Sequence, residues 1–218
     1  MKNITNQVWQ LIERDVAIKR GIERGLINSM ALAKHIIKEN GLNASVNAVI
    51  SAIRRYNAEG LKTIDSRAIK KVLANSKLST KTRMAIIALA RDSDVLALFP
   101  KVVSQIDFSK GEALRMVESR EKIKFIVDDR NLDKITSTFS KSKIVNIREN
   151  IGELTLRLGE GSEKTVGVLA TIFNELSING ISIIEPIGCL PELMIYVSEK
   201  DLLKSHEILL NLCNSGSK

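Results

Sequence analysis

The feature that most constrains this chain is an internal repeat with a period of 70 residues. Residues 83–139 align with residues 153–209 at a constant offset, and the match is clearest where residues 123–134 fall on residues 193–204. Each of the two best-matched segments is an apolar run followed by a polar cap and a helix-like pattern. Two copies are too few for a solenoid, so the repeat predicts a tandem of two similar modules.

Each module reads as strand, helix, strand, strand, helix, and the first module ends with an extra strand over residues 143–148. In the second module, alternation places Leu154 and Leu156 on one face of the first strand and Glu153 on the other. This order is the ferredoxin-like split βαβ arrangement, which predicts antiparallel sheets with helices on one face. The predicted elements of the second module span residues 152–158, 165–178, 181–187, 192–197 and 199–212.

Residues 5–60 predict three helices that precede the modules. The first is expected to begin at Thr5 or Asn6 and to end near Gly21. The second follows Asn28, whose side chain is suited to cap the first turn of a helix.

A tight turn joins the second and third predicted helices. Gly41 supplies the left-handed residue that ends the second helix, and the third starts near Asn43 or Ser45. Two short helices joined by a Gly-containing turn are typical of a helix-turn-helix, whose second helix enters the DNA major groove. If the apolar side of the third helix faces inward, the outward residues that suit DNA are Asn47, Ser51, Arg54 and Arg55.

The net charge of +8 is unevenly distributed along the chain. Residues 1–80 hold 14 Lys and Arg against 6 Asp and Glu, whereas residues 81–218 hold 19 of each. A basic segment attached to a neutral body suggests a contact with a polyanion such as DNA. The alternatives are a Lys-rich solvated surface and a helical module that binds another protein.

The sequence lacks the motifs of an enzyme, a metal site or a cofactor site. His35 and His206 are far apart in sequence, and the two cysteines, Cys189 and Cys213, lack metal-ligand spacing. No nucleophile motif or phosphate-binding loop is present. The start of the chain is polar and no apolar run reaches the length of a membrane span, so we expect a cytoplasmic protein with no membrane partner.

Four segments of the second module resemble the ACT family, and in particular the tandem ACT region of aspartate kinases. These segments are residues 153–159, 165–173, 179–183 and 193–197. The whole arrangement also resembles archaeal regulators of amino-acid metabolism in which a helical head precedes ACT modules. The resemblance implies an α+β chain with a three-helix head and two ferredoxin-like βαββα modules. The domains expected from it are residues 1–62, a linker helix at 63–80, modules at 81–149 and 150–213, and a tail at 214–218.

The resemblance also implies an amino-acid site where the first strand of a module meets its first helix. A helix N-terminus offers free N–H groups and a partial positive charge to a carboxylate, and glycines let the backbone approach a ligand. The candidate residues in the second module are Gly159, Glu160, Gly161, Ser162, Thr165, Val166 and Gly167. The corresponding loop of the first module, residues 89–94, is not rich in glycine.

The sequence therefore predicts a non-enzymatic regulator that responds to an amino acid and requires no cofactor. We expect a homodimer or higher oligomer formed through the modules, with DNA bound by the head. Two alternatives remain open at this stage. The head can instead bind an amino-acid biosynthetic enzyme, or the modules can serve as ligand-free dimerisation domains.

Overall fold

The computed structural model describes residues 3–56 and 65–215, which belong to two compact units, one within residues 1–63 and one within 64–218. The described residues of the first unit form four helices, where the sequence predicted three. They are α1 (Ile4–Arg14), α2 (Val16–Glu23), α3 (Ser29–Asn40) and α4 (Val46–Arg54).

Asp15 is the reason for the additional helix. Its backbone is extended, and its carboxylate accepts hydrogen bonds from the N–H groups of Ala17 (2.9 Å) and Ile18 (3.0 Å), so it ends α1 and caps α2. Gly21 consequently lies inside α2 and does not end the first helix. The cap of α1 is Asn3, and not Thr5 or Asn6 as predicted.

The turn between α3 and α4 has the predicted local geometry. Asn28 caps α3 through the N–H groups of Met30 and Ala31, and Ser45 caps α4. Gly41 ends α3 in the left-handed conformation (φ 58°). The predicted end of the last head helix at Gly60 and the boundary at 62/63 lie outside the described residues.

The second unit begins with α5 (Ser66–Ala74). Its other elements follow the predicted order with two exceptions: the strands predicted at residues 143–148 and 152–158 are one continuous strand, and two short helices replace the first helix of the first module. Its strands are β1 (Lys77–Ala90), β2 (Leu114–Glu118), β3 (Lys122–Asp128), β4 (Ile144–Arg157), β5 (Glu185–Cys189) and β6 (Glu192–Ser198). Its other helices are α6 (Ser93–Ala97), α7 (Phe99–Ser104), α8 (Leu132–Thr136), α9 (Val168–Ile178) and α10 (Leu202–Asn214). The offset of 70 holds residue for residue between β3 and β6 and between the starts of α8 and α10.

The six strands of the described residues form one antiparallel sheet in the order β2-β3-β1-β4-β6-β5, where the sequence predicted a separate sheet for each module. The cause is the length of β1 and β4, which are 14 residues each and pair along both halves. The predicted module boundary at 149/150 therefore falls inside β4.

A register shift divides the two long strands. Arg83 and Asn150 both have positive φ (58° and 57°), close to the point where the β1–β4 pairing shifts. The first half of β1, from Lys77 to Lys81, pairs with the second half of β4, from Arg157 to Glu153. Both long strands, β1 and β4, therefore belong to both halves of the sheet, and each half contains four strand segments.

Both faces of the sheet are packed. The helix-covered face of the second half buries Leu154 and Leu156 together with Ile69, Val72 and Leu73 of α5. The predicted linker helix is therefore part of this core. The opposite face carries a cluster from both halves, namely Met84, Ile86, Ala113, Ile126, Ile151, Met194 and Tyr196.

Candidate ligand site

The loop between β4 and α9 borders a cavity of about 500 Å³. Its lining residues are Arg157, Leu158, Gly159, Glu160, Gly161, Ser162, Glu163, Lys164 and Pro191. The structure thus brings together the first four of the seven predicted ligand residues. The other three, Thr165, Val166 and Gly167, do not line this cavity.

Hydrogen bonds within the loop explain why Thr165 is not available to the cavity. Its N–H (3.0 Å) and its hydroxyl (2.9 Å) both donate to the carbonyl of Gly161, and so does the N–H of Lys164 (3.0 Å). Gly161 has φ 82°, a conformation that favours glycine. The side chain of Val166 is directed to solvent, and Gly167 begins α9 with φ 95°. Thr165 therefore stabilises the turn.

Gly159 lies against α5 and does not provide open space for a ligand. Its N–H donates to Ser76 Oγ (3.1 Å), which in turn donates to the carbonyl of Val72 (2.8 Å). A Cβ at Gly159 would lie 2.5 Å from the Val72 carbonyl oxygen and 2.9 Å from the Cβ of Asn75. The close approach predicted for this glycine is therefore made to the chain itself.

The cavity is lined by side chains of both signs. Arg157 and Lys164 are cationic, Glu160 and Glu163 are anionic, and none of the four forms an ion pair with another described residue. Ser162 adds a hydroxyl that can donate or accept a hydrogen bond. This arrangement can pair with the carboxylate and the ammonium group of a small zwitterion.

In the first half of the sheet, polar side chains of the equivalent loop, residues 89–94, already form hydrogen bonds and ion pairs with other residues of the chain. Asp92 caps α6 through the N–H of Val95 (2.9 Å) and contacts the ammonium of Lys143, and this contact is the main cause that lowers the pKa of Asp92. Arg91 forms an ion pair with Glu118.

The residues predicted to contact DNA are exposed on the first unit. Asn47, Ser51, Arg54 and Arg55 all lie at the surface of α4 or at its end. They differ in their contacts, because Arg55 donates to the Ser51 carbonyl (3.2 Å) and to Thr5 Oγ1 (3.1 Å). Arg54 has no side-chain hydrogen bond to a described residue.

The first unit also contains a cavity that was not predicted from the sequence, with a volume of about 600 Å³. Trp9 and Tyr56 pack edge to face beside it, and the Tyr56 hydroxyl contacts Glu13. Burial and this hydrogen bond raise the pKa of Tyr56 to about 12. The cavity is lined by four residues that share one side of α1, namely Asn6, Trp9, Gln10 and Glu13. Their helical spacing in the sequence predicts that these four side chains lie together.

The net charge is less unevenly distributed when it is counted for each structural unit. Residues 1–63 carry 10 Lys and Arg against 5 Asp and Glu, a balance of +5, and the remaining +3 belongs to residues 64–218. Part of the basic excess, including Arg67, Lys70 and Lys71 on α5, therefore lies in the second unit.

In the described part of the chain, no group of three or more His, Cys, Asp or Glu side chains is placed to hold a metal ion. Within the same residues, no helix has the length and apolar character needed to cross a bilayer.

Solved structures of aspartate kinases share the fold of about two thirds of this chain. The aspartate kinase of Synechocystis matches with a TM-score of 0.54 at 16% identity, over 65% of this chain and 27% of that enzyme. The enzyme of Clostridium acetobutylicum matches with a TM-score of 0.50 at 19% identity, over 63% of this chain and 34% of that enzyme. This chain thus spans about a third or less of the length of these two enzymes.

The regulatory subunit of aspartate kinase from Thermus thermophilus is also similar, with a TM-score of 0.49 at 15% identity, over 62% of this chain and 95% of that subunit. No family model matches the sequence, and no curated protein matches it. The two matches at a TM-score of 0.5 and above support a mixed α/β fold with an antiparallel sheet.

Proposed function

We propose that this protein is a non-enzymatic regulator whose second unit binds an amino acid in the cavity beside Gly159–Lys164. The observation that carries the proposal is the pairing of two cationic with two anionic side chains around a cavity of about 500 Å³. An amino acid presents a carboxylate and an ammonium group at fixed separation, and both need a partner of opposite charge. Glu160 or Glu163 would hold the ammonium, and Lys164 or Arg157 the carboxylate.

The contact between the loop and α5 offers a route from ligand binding to the rest of the chain. Ser76 links the Gly159 N–H to the last turn of α5, so a shift of the loop changes a contact of that helix. A ligand regulates only if it binds two arrangements with different free energies. The two arrangements proposed here differ in whether Gly159 remains packed against Val72.

A thermal-shift screen of the full chain against the twenty amino acids tests the proposal. We expect one or a few of them to raise Tm, because a ligand that binds only the folded state stabilises it. Lys164→Gln should reduce that shift, whereas Lys141→Gln, an exposed lysine outside the cavity, should leave it unchanged. If no amino acid changes Tm, the modules are ligand-free dimerisation domains and the proposal fails.

The exposed surface of α4 favours DNA as the second ligand of the regulator. Asn47, Ser51 and Arg54 recur at steps of four and three residues along α4, and the first unit carries a balance of +5. Residue types of this kind read base edges and hold phosphates. We propose that a homodimer presents two copies of this surface to DNA.

A titration of the full chain with duplex DNA at several salt concentrations tests this second function. Binding that weakens steeply as salt increases would support it, because phosphate contacts release counterions. If the protein does not bind DNA at low salt but retains an amino-acid biosynthetic enzyme in a pull-down, the first unit is a protein-binding module. Sedimentation of the full chain measures the oligomeric state independently.

A further inference from the structure

A second cleft lies on the sheet of the second unit, on the face opposite the helices, and it has a volume of about 220 Å³. It is distinct from the cavity beside Gly159, with which it shares no lining residue. Ile86 and Ala88 of β1 form its base, and Ile184 and Glu185 close it from the other half of the sheet.

Ala88 leaves space at the base of this cleft because its side chain is small. Ala88 pairs with Lys124 on β3 and with Asn146 on β4, so these two longer side chains stand on either side of it. Strands are spaced by about 4.8 Å, so the two flanking backbones lie roughly 10 Å apart. That width accommodates a small molecule between the two side chains.

The rim of the cleft is strongly basic. Lys122, Lys124 and Arg148 border it, against the single carboxylate of Glu185. Glu185 is already paired with Lys124, and its side chain is only 17% exposed. Lys122 and Arg148 form no ion pair with any residue that the structure describes, which leaves two cations without a partner beside a partly enclosed cleft.

We propose that this cleft binds a small oxyanion, a molecule that bears a carboxylate or phosphate group, and that it is a second ligand site of the protein. Lys122 and Arg148 would contact the charged oxygens, and the amide of Asn146 would donate a hydrogen bond. Apolar groups of the ligand would rest on Ile86 and Ile184. Glu185 lowers the affinity of this cleft for an anion, because its carboxylate neutralises Lys124 and repels the negative charge of the ligand.

Calorimetric titration of the full chain with inorganic phosphate and, separately, with succinate tests this site at constant ionic strength set with NaCl. The two probes distinguish a phosphate from a carboxylate source of the same chemistry. We expect at least one to bind at millimolar concentration or below. Lys122→Gln and Arg148→Gln should each weaken that binding about tenfold, since each removes a charge-assisted contact.

Two further variants separate a specific site from general attraction to a basic protein. Arg67→Gln removes an equal charge from an exposed position on α5 and should leave binding unchanged. Glu185→Gln should tighten binding several-fold, an effect that damage to the fold does not produce. Absence of binding of both probes, or an equal loss in Arg67→Gln and Arg148→Gln, overturns the proposal. The same variants keep the two sites distinguishable: a thermal shift that arises at the cavity beside Gly159 decreases in Lys164→Gln and not in Arg148→Gln, because the two sites share no lining residue.

Discussion

Tyr196 on β6 donates a 2.6 Å hydrogen bond to the Oε2 atom of Glu153 on β4, and both side chains are buried in the sheet. The carboxylate also accepts a hydrogen bond from the Thr155 hydroxyl (3.0 Å) and lies 3.7 Å from the guanidinium of Arg115 on β2. A buried carboxylate is tolerated only where donors and a positive charge compensate for the lost water. These contacts explain why a charged residue lies next to the apolar cluster of the helix-free face.

We expect Tyr196→Phe to lower the free energy of unfolding of the second unit by about 1–3 kcal/mol, because it leaves a buried carboxylate short of a donor. Urea denaturation followed by circular dichroism measures the change. In a Glu153→Gln background the same substitution should cost less, since an uncharged amide needs the hydroxyl less. Equal costs in the two backgrounds would show that the pair is not coupled.

The second prediction concerns the ionisation of the two tyrosines, which are the only ones in the chain. Burial and Glu13 raise the pKa of Tyr56 to about 12, and burial together with Glu153 raises the pKa of Tyr196 further, from an ordinary value of 10.0. An absorbance titration of the folded protein should therefore show little tyrosinate at pH 10.5. The same titration in guanidinium chloride should show both groups ionising near pH 10.

The same pKa values set the direction of a stability change. Because the folded pKa of Tyr56 lies above the unfolded one, the unfolded state loses its proton first as the pH rises. The stabilisation is complete below pH 10 and is lost as the pH rises from 10 to about 12. If half of the tyrosine absorbance of the folded protein titrated near pH 10, one of the two tyrosines would be neither buried nor in contact with its glutamate in solution.

The 70-residue repeat predicted the order of the elements well because it rests on local patterns. The strand and helix that follow one another at β3–α8 and at β6–α10 have the same hydrophobic periodicity. Asn28 and Gly41 were predictable for a related reason, since their roles depend on the backbone of their immediate neighbours. The break between α6 and α7 likewise follows from Pro100, which lacks an N–H and cannot continue a helix.

The joining of both modules into one sheet was not predictable from such patterns. Lys77 pairs with Arg157, 80 residues away, and no local period reports a contact of that range. The burial of Glu153 was not predictable, because strict alternation of apolar and polar residues implies that one face of the strand contacts solvent. The position of Gly159 depends on α5, which the sequence describes only as a short capped helix.

The third prediction concerns the contact between α5 and the loop that joins β4 to α9. In Gly159→Ala the new methyl group would lie 2.5 Å from the carbonyl oxygen of Val72, a backbone atom that cannot move alone. We expect a loss of about 1–3 kcal/mol in the free energy of unfolding, together with a change in amino-acid affinity. Gly188→Ala is a matched control, because nothing lies within 4 Å of the added methyl group. Equal stability of the two variants would show that the loop does not pack on α5.

The fourth prediction separates the two arginines at the end of α4. Arg54 is exposed and has no side-chain hydrogen bond to a described residue, whereas Arg55 holds the start of α1 through Thr5 Oγ1. We therefore expect Arg54→Ala to weaken DNA binding and to reduce its salt dependence without a change in Tm, since it removes one phosphate contact. Arg55→Ala should weaken DNA binding and also lower Tm by a few degrees.

Lys38→Ala provides the control for these two arginines, because it removes an equal charge from the last turn of α3, on the other helix of the pair. Fluorescence anisotropy with labelled duplex DNA measures the affinity, and a thermal melt measures Tm. A general electrostatic attraction predicts the same loss of affinity in Lys38→Ala and Arg54→Ala. A surface on α4 that contacts DNA predicts a larger loss in Arg54→Ala, and this difference decides whether α4 is the recognition helix.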